Sequence, residues 1–186
     1  GDVNGDGLSD VLVGVRGYTN GQTNEGRVLG FYGRTGALFT TSSWQFESNQ
    51  DGALMGSSVA SAGDVNGDGF SDVLVGAPSF DGVVTNEGRV SLFFGGAAGL
   101  GTAPAWSTSG QALSSFGASV ASAGDVNGDG FSDVVLGAAE HDNGANDEGR
   151  AVVFLGFASG LPAGTTWSVA GTQASALLGS SVASAG

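Results

Sequence analysis

Short apolar runs alternate with turns rich in Gly, Asp and Ser along the whole chain, and nowhere do apolar residues keep the 3.6-residue step of a helix. Residues 58–62 form a run of small side chains and residues 64–72 a polar loop; Asp72–Ala77 is an apolar run with β-branched Val73 and Val75, closed by Pro78. A loop containing Asp81-Gly82 and Asn86 leads to the run 89–94, Gly95-Gly96 turns the chain again, and a short strand is expected around Trp106. This predicts four strands joined by turns. The runs 90–94 and 151–155 are almost continuously apolar, the pattern of strands covered on both faces.

The pattern repeats. Gly-Asp-Val-Asn-Gly-Asp-Gly begins at Gly1, Gly63 and Gly124, steps of 62 and 61 residues. Trp44, Trp106 and Trp167 keep the same step, as do Glu25-Gly26-Arg27, Glu87-Gly88-Arg89 and Glu148-Gly149-Arg150, and Ser-Val-Ala-Ser-Ala-Gly ending at Gly63, Gly124 and Gly186. Residues 1–186 are therefore a single repeat array with units near 1–62, 63–123 and 124–186. Gly186 falls where another polar loop would begin, so the last residues stand for the missing first part of unit one. Four-stranded units at this step predict an all-β fold, a β-propeller whose blades bury their faces against each other. A β-sandwich would explain neither the near-identical copies nor the small residues at 58–62, which suit strands crowded around an axis.

With 40 % of 186 residues hydrophobic, the chain can bury a core, and its 36 Gly do not fall every third residue as in collagen. Eighteen Asp and Glu face five Arg and no Lys, a formal net charge of −13 that repels a phosphate backbone and removes nucleic acid as a partner. The absence of Cys removes disulfides, thiol nucleophiles and thiolate metal sites. No apolar run is long enough to span a bilayer as a helix, and no charged-then-apolar leader opens the chain. Met55 is the only Met, so a chain opening Gly1-Asp2-Val3 reads as a mature fragment or a segment of something longer.

The polar loop carries the chemistry. Asp64, Asn66, Asp68 and Asp72 place side-chain oxygens at loop positions one, three, five and nine, Gly69 stands at six, and the Phe70 carbonyl adds an oxygen at seven. The same set recurs as Asp2, Asn4, Asp6, Leu8 (carbonyl) and Asp10, and as Asp125, Asn127, Asp129, Phe131 (carbonyl) and Asp133. Such sets suit Ca²⁺, which takes six to eight oxygens, better than Mg²⁺, which demands a tight octahedron. Three Ca²⁺ sites are expected. An EF-hand is disfavoured because position twelve holds Val13, Val75 or Leu136 instead of Glu, and a strand pattern follows. The bland alternative is an Asx turn stitched by Asp and Asn side chains. Nine of the eighteen acidic residues sit in these loops, and three Ca²⁺ would bring the formal charge from −13 to −7. Millimolar calcium, and so an extracellular or cell-surface setting, is the natural environment of such staples.

Met55-Gly56 or Phe116-Gly117 before the loop, and Gly76-Ala77-Pro78 after it, resemble the FG-GAP repeat of integrin α-subunit propellers and of bacterial integrin-like repeat proteins. The resemblance covers the whole chain and is looser at Leu178-Gly179, which stands for FG, and at Gly14-Val15-Arg16 and Gly137-Ala138-Ala139, which stand for GAP. It implies propeller blades whose loop between first and second strands holds Ca²⁺ on one face of the ring. Integrin-type ligand recognition does not carry over, because it uses variable loops on the opposite face. A dockerin shares the acidic loop, but the strand pattern after it here sets that family apart.

Three blades are fewer than a closed propeller uses, and the ends are complementary, so a homodimer or a head-to-tail array through broken blades is expected. His141, in Glu140-His141-Asp142-Asn143, reads as an exposed loop residue without a repeat counterpart. The recurrent Glu and Arg read as a structural turn or ion pair, and the three Trp as packing between blades in preference to sugar platforms. Loops 18–23, 79–85 and 140–146 differ between copies and are where partner contacts are expected. The reading is a calcium-stabilised extracellular module for adhesion, scaffolding or protein interaction, without catalysis. The alternatives are a carbohydrate-binding propeller and an accessory domain of a secreted enzyme.

Overall fold

The computed structural model describes residues 1–186 as thirteen strands with no helix. They are β1 (Val11–Val15), β2 (Arg27–Phe31), β3 (Gly33–Arg34), β4 (Ala37–Leu38), β5 (Trp44–Glu47), β6 (Ser58–Gly63), β7 (Asp72–Ala77), β8 (Arg89–Phe93), β9 (Trp106–Ser109), β10 (Phe116–Gly124), β11 (Asp133–Ala138), β12 (Arg150–Phe154) and β13 (Trp167–Ala170). Strands β6-β7-β8-β9 and β10-β11-β12-β13 make two four-stranded antiparallel meanders, and β1-β2-β5 makes a three-stranded one. This is a run of propeller-type blades that does not close on itself. The hairpin β3-β4 inside the first unit escaped the sequence pattern, and residues 181–186 form no strand although their twins β6 and β10 do.

The core lies between sheets, and period-two alternation divides it. In β7 every residue is buried: Val73, Val75 and Ala77 join a cluster with Val3, Val28, Trp44 and Phe93 on the first-blade side. Leu74, with Val90 and Leu92 of β8, joins Val134, Leu136 and Phe154 on the third-blade side. A central blade thus has two apolar faces, which is why its strands read as continuous apolar runs. β1 has only one covered side, and Val11 and Val13 are exposed.

Trp44 and Trp106 are the pins between blades. The Trp44 indole meets Phe93 edge-on at 5.0 Å and donates its Nε1–H to the Gly101 carbonyl at 2.9 Å; Trp106 repeats this on Phe154 and the Pro162 carbonyl. The expected packing role holds for these two. Trp167 has no following blade and stands 53 % exposed.

The FG and GAP glycines touch each other across blades. A Cβ on Gly76 would lie 2.0 Å from the carbonyl oxygen of Gly117, one on Gly14 2.0 Å from that of Gly56, and one on Gly137 1.9 Å from that of Gly179. Gly56, Gly117 and Gly179 hold φ of 81°, 84° and 86°, a region that other residues enter only with strain.

Candidate functional site

The second and third acidic loops join the first strand of a blade to its second, the loop at residues 2–10 leads into β1, and each of the three folds around one carboxylate. Asp64 Oδ1 accepts the Gly67 N–H at 2.7 Å and the Asp68 N–H at 3.1 Å, and its Oδ2 accepts that of Gly69 at 2.8 Å. Asn66 Oδ1 takes the Asp68 N–H, Asp68 Oδ1 takes the Phe70 N–H, and Asn66 Nδ2 donates to Asp68 Oδ2. Asp72, at the start of β7, closes the loop from below: its Oδ2 takes the Val65 N–H at 2.9 Å and its Oδ1 the Gly95 N–H at 3.0 Å. Asp2, Asn4, Asp6 and Asp10 repeat these bonds with Leu8 in the place of Phe70, and Asp125, Asn127, Asp129 and Asp133 repeat them with Phe131. All the residues named from the sequence therefore lie together, loop by loop.

The loops also touch one another. The Phe70 ring lies on Gly5 of the preceding loop and the Phe131 ring on Gly67, where a Cβ would meet ring carbon at 2.6 and 2.7 Å. The Ser71 N–H donates to the Asp2 carbonyl and the Ser132 N–H to that of Asp64. Metal in one loop would thus stiffen contact with the next blade as well as its own turn.

Asx-turn stitching is present, yet it leaves three carboxylates per loop without a counter-ion, since the one ion pair of the molecule is Arg27–Glu47 at 3.9 Å. No three His, Cys, Asp or Glu side chains converge as a metal cluster. The loop carboxylates turn inward onto their own backbone N–H groups, and the remaining oxygens of the set are an amide and a carbonyl. The donor set fits a hard divalent cation: all oxygen, acidic and uncompensated. Burial pushes the Asp72 carboxyl up to about 6 against the Val65 and Gly95 N–H groups, and the Asp68 and Asp64 charges add to the rise. At Asp2 desolvation acts upward, but the Gly7, Gly5 and Asp6 N–H groups outweigh it and hold the carboxyl below its ordinary value. At Asp125 the Gly130 N–H leads the same lowering.

At the opposite end of each sheet, the loop between second and third strands encloses a buried Glu. Glu87 Oε2 accepts the Val83 and Val84 N–H groups, both at 3.1 Å, and Glu25 Oε1 accepts that of Asn20 at 2.6 Å. Glu148 is buried too. The recurrent Arg does not pair with this Glu. Arg27 lies over the Tyr18 ring at 3.8 Å and Arg89 over the Phe80 ring at 3.7 Å.

His141 departs from expectation. It is buried, 6 % exposed, and it has counterparts: its N–H bonds the Ala138 carbonyl and its carbonyl takes the Gly149 N–H, as Phe80 does with Ala77 and Gly88 and Tyr18 with Val15 and Gly26. The residue type hid the equivalence, but its place three residues after the strand would have revealed it. Thr108 likewise stands where Phe46 packs on Phe93 in the preceding blade, and a cleft of ≈ 210 Å³ opens there, lined by Thr108, His141, Arg150 and Phe154.

Comparison with known proteins agrees with the repeat. The FG-GAP repeat matches residues 1–31, 55–93 and 116–154, more than half of the chain. Integrin alpha-V of Gallus gallus is 32 % identical over 168 residues, 88 % of this chain, and integrin alpha-4 of Xenopus laevis is 34 % identical over 170 residues, 87 % of it. The chain spans only 15 % and 16 % of the length of these two relatives. Motif, blade geometry and likeness agree, and the chain belongs to the FG-GAP repeat family.

Proposed function

We propose that the chain is a calcium-stabilised, extracellular or cell-surface propeller module that serves adhesion, scaffolding or protein interaction, with no catalysis of its own. One observation carries the calcium reading: three loops of the same geometry, each with three carboxylates and no counter-ion, linked in a row by Phe70 and Phe131. The ligands would be Asp2, Asn4, Asp6, Asp10 and the Leu8 carbonyl; Asp64, Asn66, Asp68, Asp72 and the Phe70 carbonyl; and Asp125, Asn127, Asp129, Asp133 and the Phe131 carbonyl. The likeness to integrin α-chains supports the extracellular adhesion-type role. Partner contacts fall to the variable loops at the opposite end, where Val83 is 97 % exposed. Trp44 and Trp106 are spent between blades, which weakens the sugar-binding reading.

With a dissociation constant of about 10⁻⁴ M in millimolar calcium, each site would add about 1.4 kcal/mol of stability. Calorimetric titration of the metal-free protein should therefore show three equivalents of calcium. Asp68→Ala should show two, with a smaller calcium-induced rise in Tm. Equal titrations, or equal melting of both proteins with and without calcium, would refute the assignment.

A further inference from the structure

The two blade-to-blade contacts inside the molecule come from the same repeat, yet they are not filled alike. Between the first and second blades the Phe46 ring occupies the slot beside Phe93, with centroids 4.8 Å apart and planes at 63°. Between the second and third, Thr108 takes that place, since it pairs with Val90 as Phe46 pairs with Val28. Thr108 carries no ring, and the cleft of ≈ 210 Å³ stands in its stead, lined by Phe154 where Phe93 meets Phe46. An apolar cavity of about 150 Å³ is enough to admit a benzene ring.

Two further exchanges set the charge of the cleft. Glu47, next to Phe46, is answered by Ser109, and Phe80, over whose ring Arg89 lies at 3.7 Å, is answered by His141. Arg150 is thereby left with neither a ring beneath it nor a carboxylate beside it. The one ion pair is Arg27–Glu47, and the Arg150 guanidinium donates only to Ser168 Oγ, at 3.0 Å. The chain has eighteen acidic residues, yet none lines this cleft, and Arg150 is its one cationic side chain. Glu148 and Asp142, whose charges reach His141, are not on the lining. Ser109 and Gln111 add a hydroxyl and an amide to it.

We propose that this cleft binds a ligand carrying an aromatic ring and a carboxylate, the ring entering beside Phe154 as Phe46 lies beside Phe93, and the carboxylate reaching the Arg150 guanidinium. Phe46 is the molecule's own template for the ring, at the same strand register and against the equivalent neighbour. Edge-on ring pairs are favourable beyond the area they bury. A guanidinium without a partner offers a carboxylate two parallel N–H bonds, and it selects an anion from among aromatic ligands. Two sources present this chemistry: a free arylalkanoic acid, and the carboxy-terminal aromatic residue of a peptide. The cleft shares no residue with the acidic loops, so the proposal stands apart from the calcium reading.

The probes are 3-phenylpropanoate and the peptide Gly-Gly-Phe with a free carboxylate, each titrated into the intact chain at constant calcium and followed by calorimetry and amide chemical shifts. At least one should bind at millimolar concentration with shifts centred on Thr108, His141 and Arg150. Binding of the free acid alone assigns a small molecule, and binding of the peptide alone a chain end. The corresponding amide, which keeps the ring and loses the charge, should bind about tenfold more weakly or worse, and Arg150→Gln should weaken the acid by a similar factor while leaving the amide unchanged. Thr108→Phe, which restores the filled arrangement of the preceding contact, should abolish binding and raise Tm, whereas Thr108→Val should retain binding. If Thr108→Phe does not fold, the amide and Arg150→Gln decide alone. Failure of both probes to bind, an amide that binds as well as the acid, or acid binding indifferent to Arg150→Gln or to a folded Thr108→Phe overturns the proposal.

Discussion

At the residue scale, a glycine and a histidine show what the repeat tolerates. Gly76 is held against the Gly117 carbonyl so closely that a methyl group has nowhere to go. Gly76→Ala should destabilise the protein by about 1–3 kcal/mol, measured by denaturant unfolding, because both partners are backbone and cannot rotate aside. His141 occupies a place that aromatic rings hold in the other blades, and burial lowers its imidazole below 6.5, with Arg150 adding to the fall and Glu148 and Asp142 opposing it. A base whose folded value is depressed contributes stability that is present above its unfolded value and lost as pH falls through the folded one. His141→Phe should therefore raise Tm more at pH 5.5 than at pH 7.5, and it should place a ring beside Arg150 as Phe80 lies beside Arg89. An equal shift at both values would show that the imidazole does not titrate with unfolding.

At the element scale, the acidic loop is stitched by its own amides and tied to the strand below through Asp72. Its carboxyl, raised to about 6 by burial, resists ionisation in the folded state when no cation is present. Without metal, its contribution to stability is present below the unfolded value near 3.8 and lost as pH rises through about 6. Calcium reverses the preference, since it binds the ionised form, so affinity should fall as pH drops below about 6. Melting curves between pH 4 and 7, with and without calcium, should diverge as pH rises. Asp72→Asn should flatten the metal-free dependence of this loop, and an unchanged dependence would count against the assignment. The strand after the loop was legible because both its faces are apolar. The hairpin β3-β4 was not, because two residues per strand carry no periodicity.

At the scale of the whole molecule, the array is an open chain of sheets with its core between neighbours, so stability is shared by adjacent blades and is lowest at the ends. Its net charge of −13 makes the acidic loops repel one another across neighbouring blades, and ions in the loops would reduce that repulsion. The exposed rims at Val13 and Trp167 were not visible as such in the sequence, where these residues look like their buried twins.

Much was decided by the sequence alone, because the information was local or repeated. The three acidic loops, the strands of the middle unit and the count of blades follow from spacing and alternation, which act over a few residues at a time, and the FG-GAP family from the likeness of its motifs to known repeats. Tertiary structure decided what depends on neighbours far along the chain. It put His141 in the place of an aromatic ring, set Arg27 and Arg89 on rings instead of on the recurrent Glu, and divided β7 between two cores. It also left Trp167 bare where Trp44 is covered, since burial is a property of what comes to rest beside a residue, and identical residues differ when one of them lacks a neighbour.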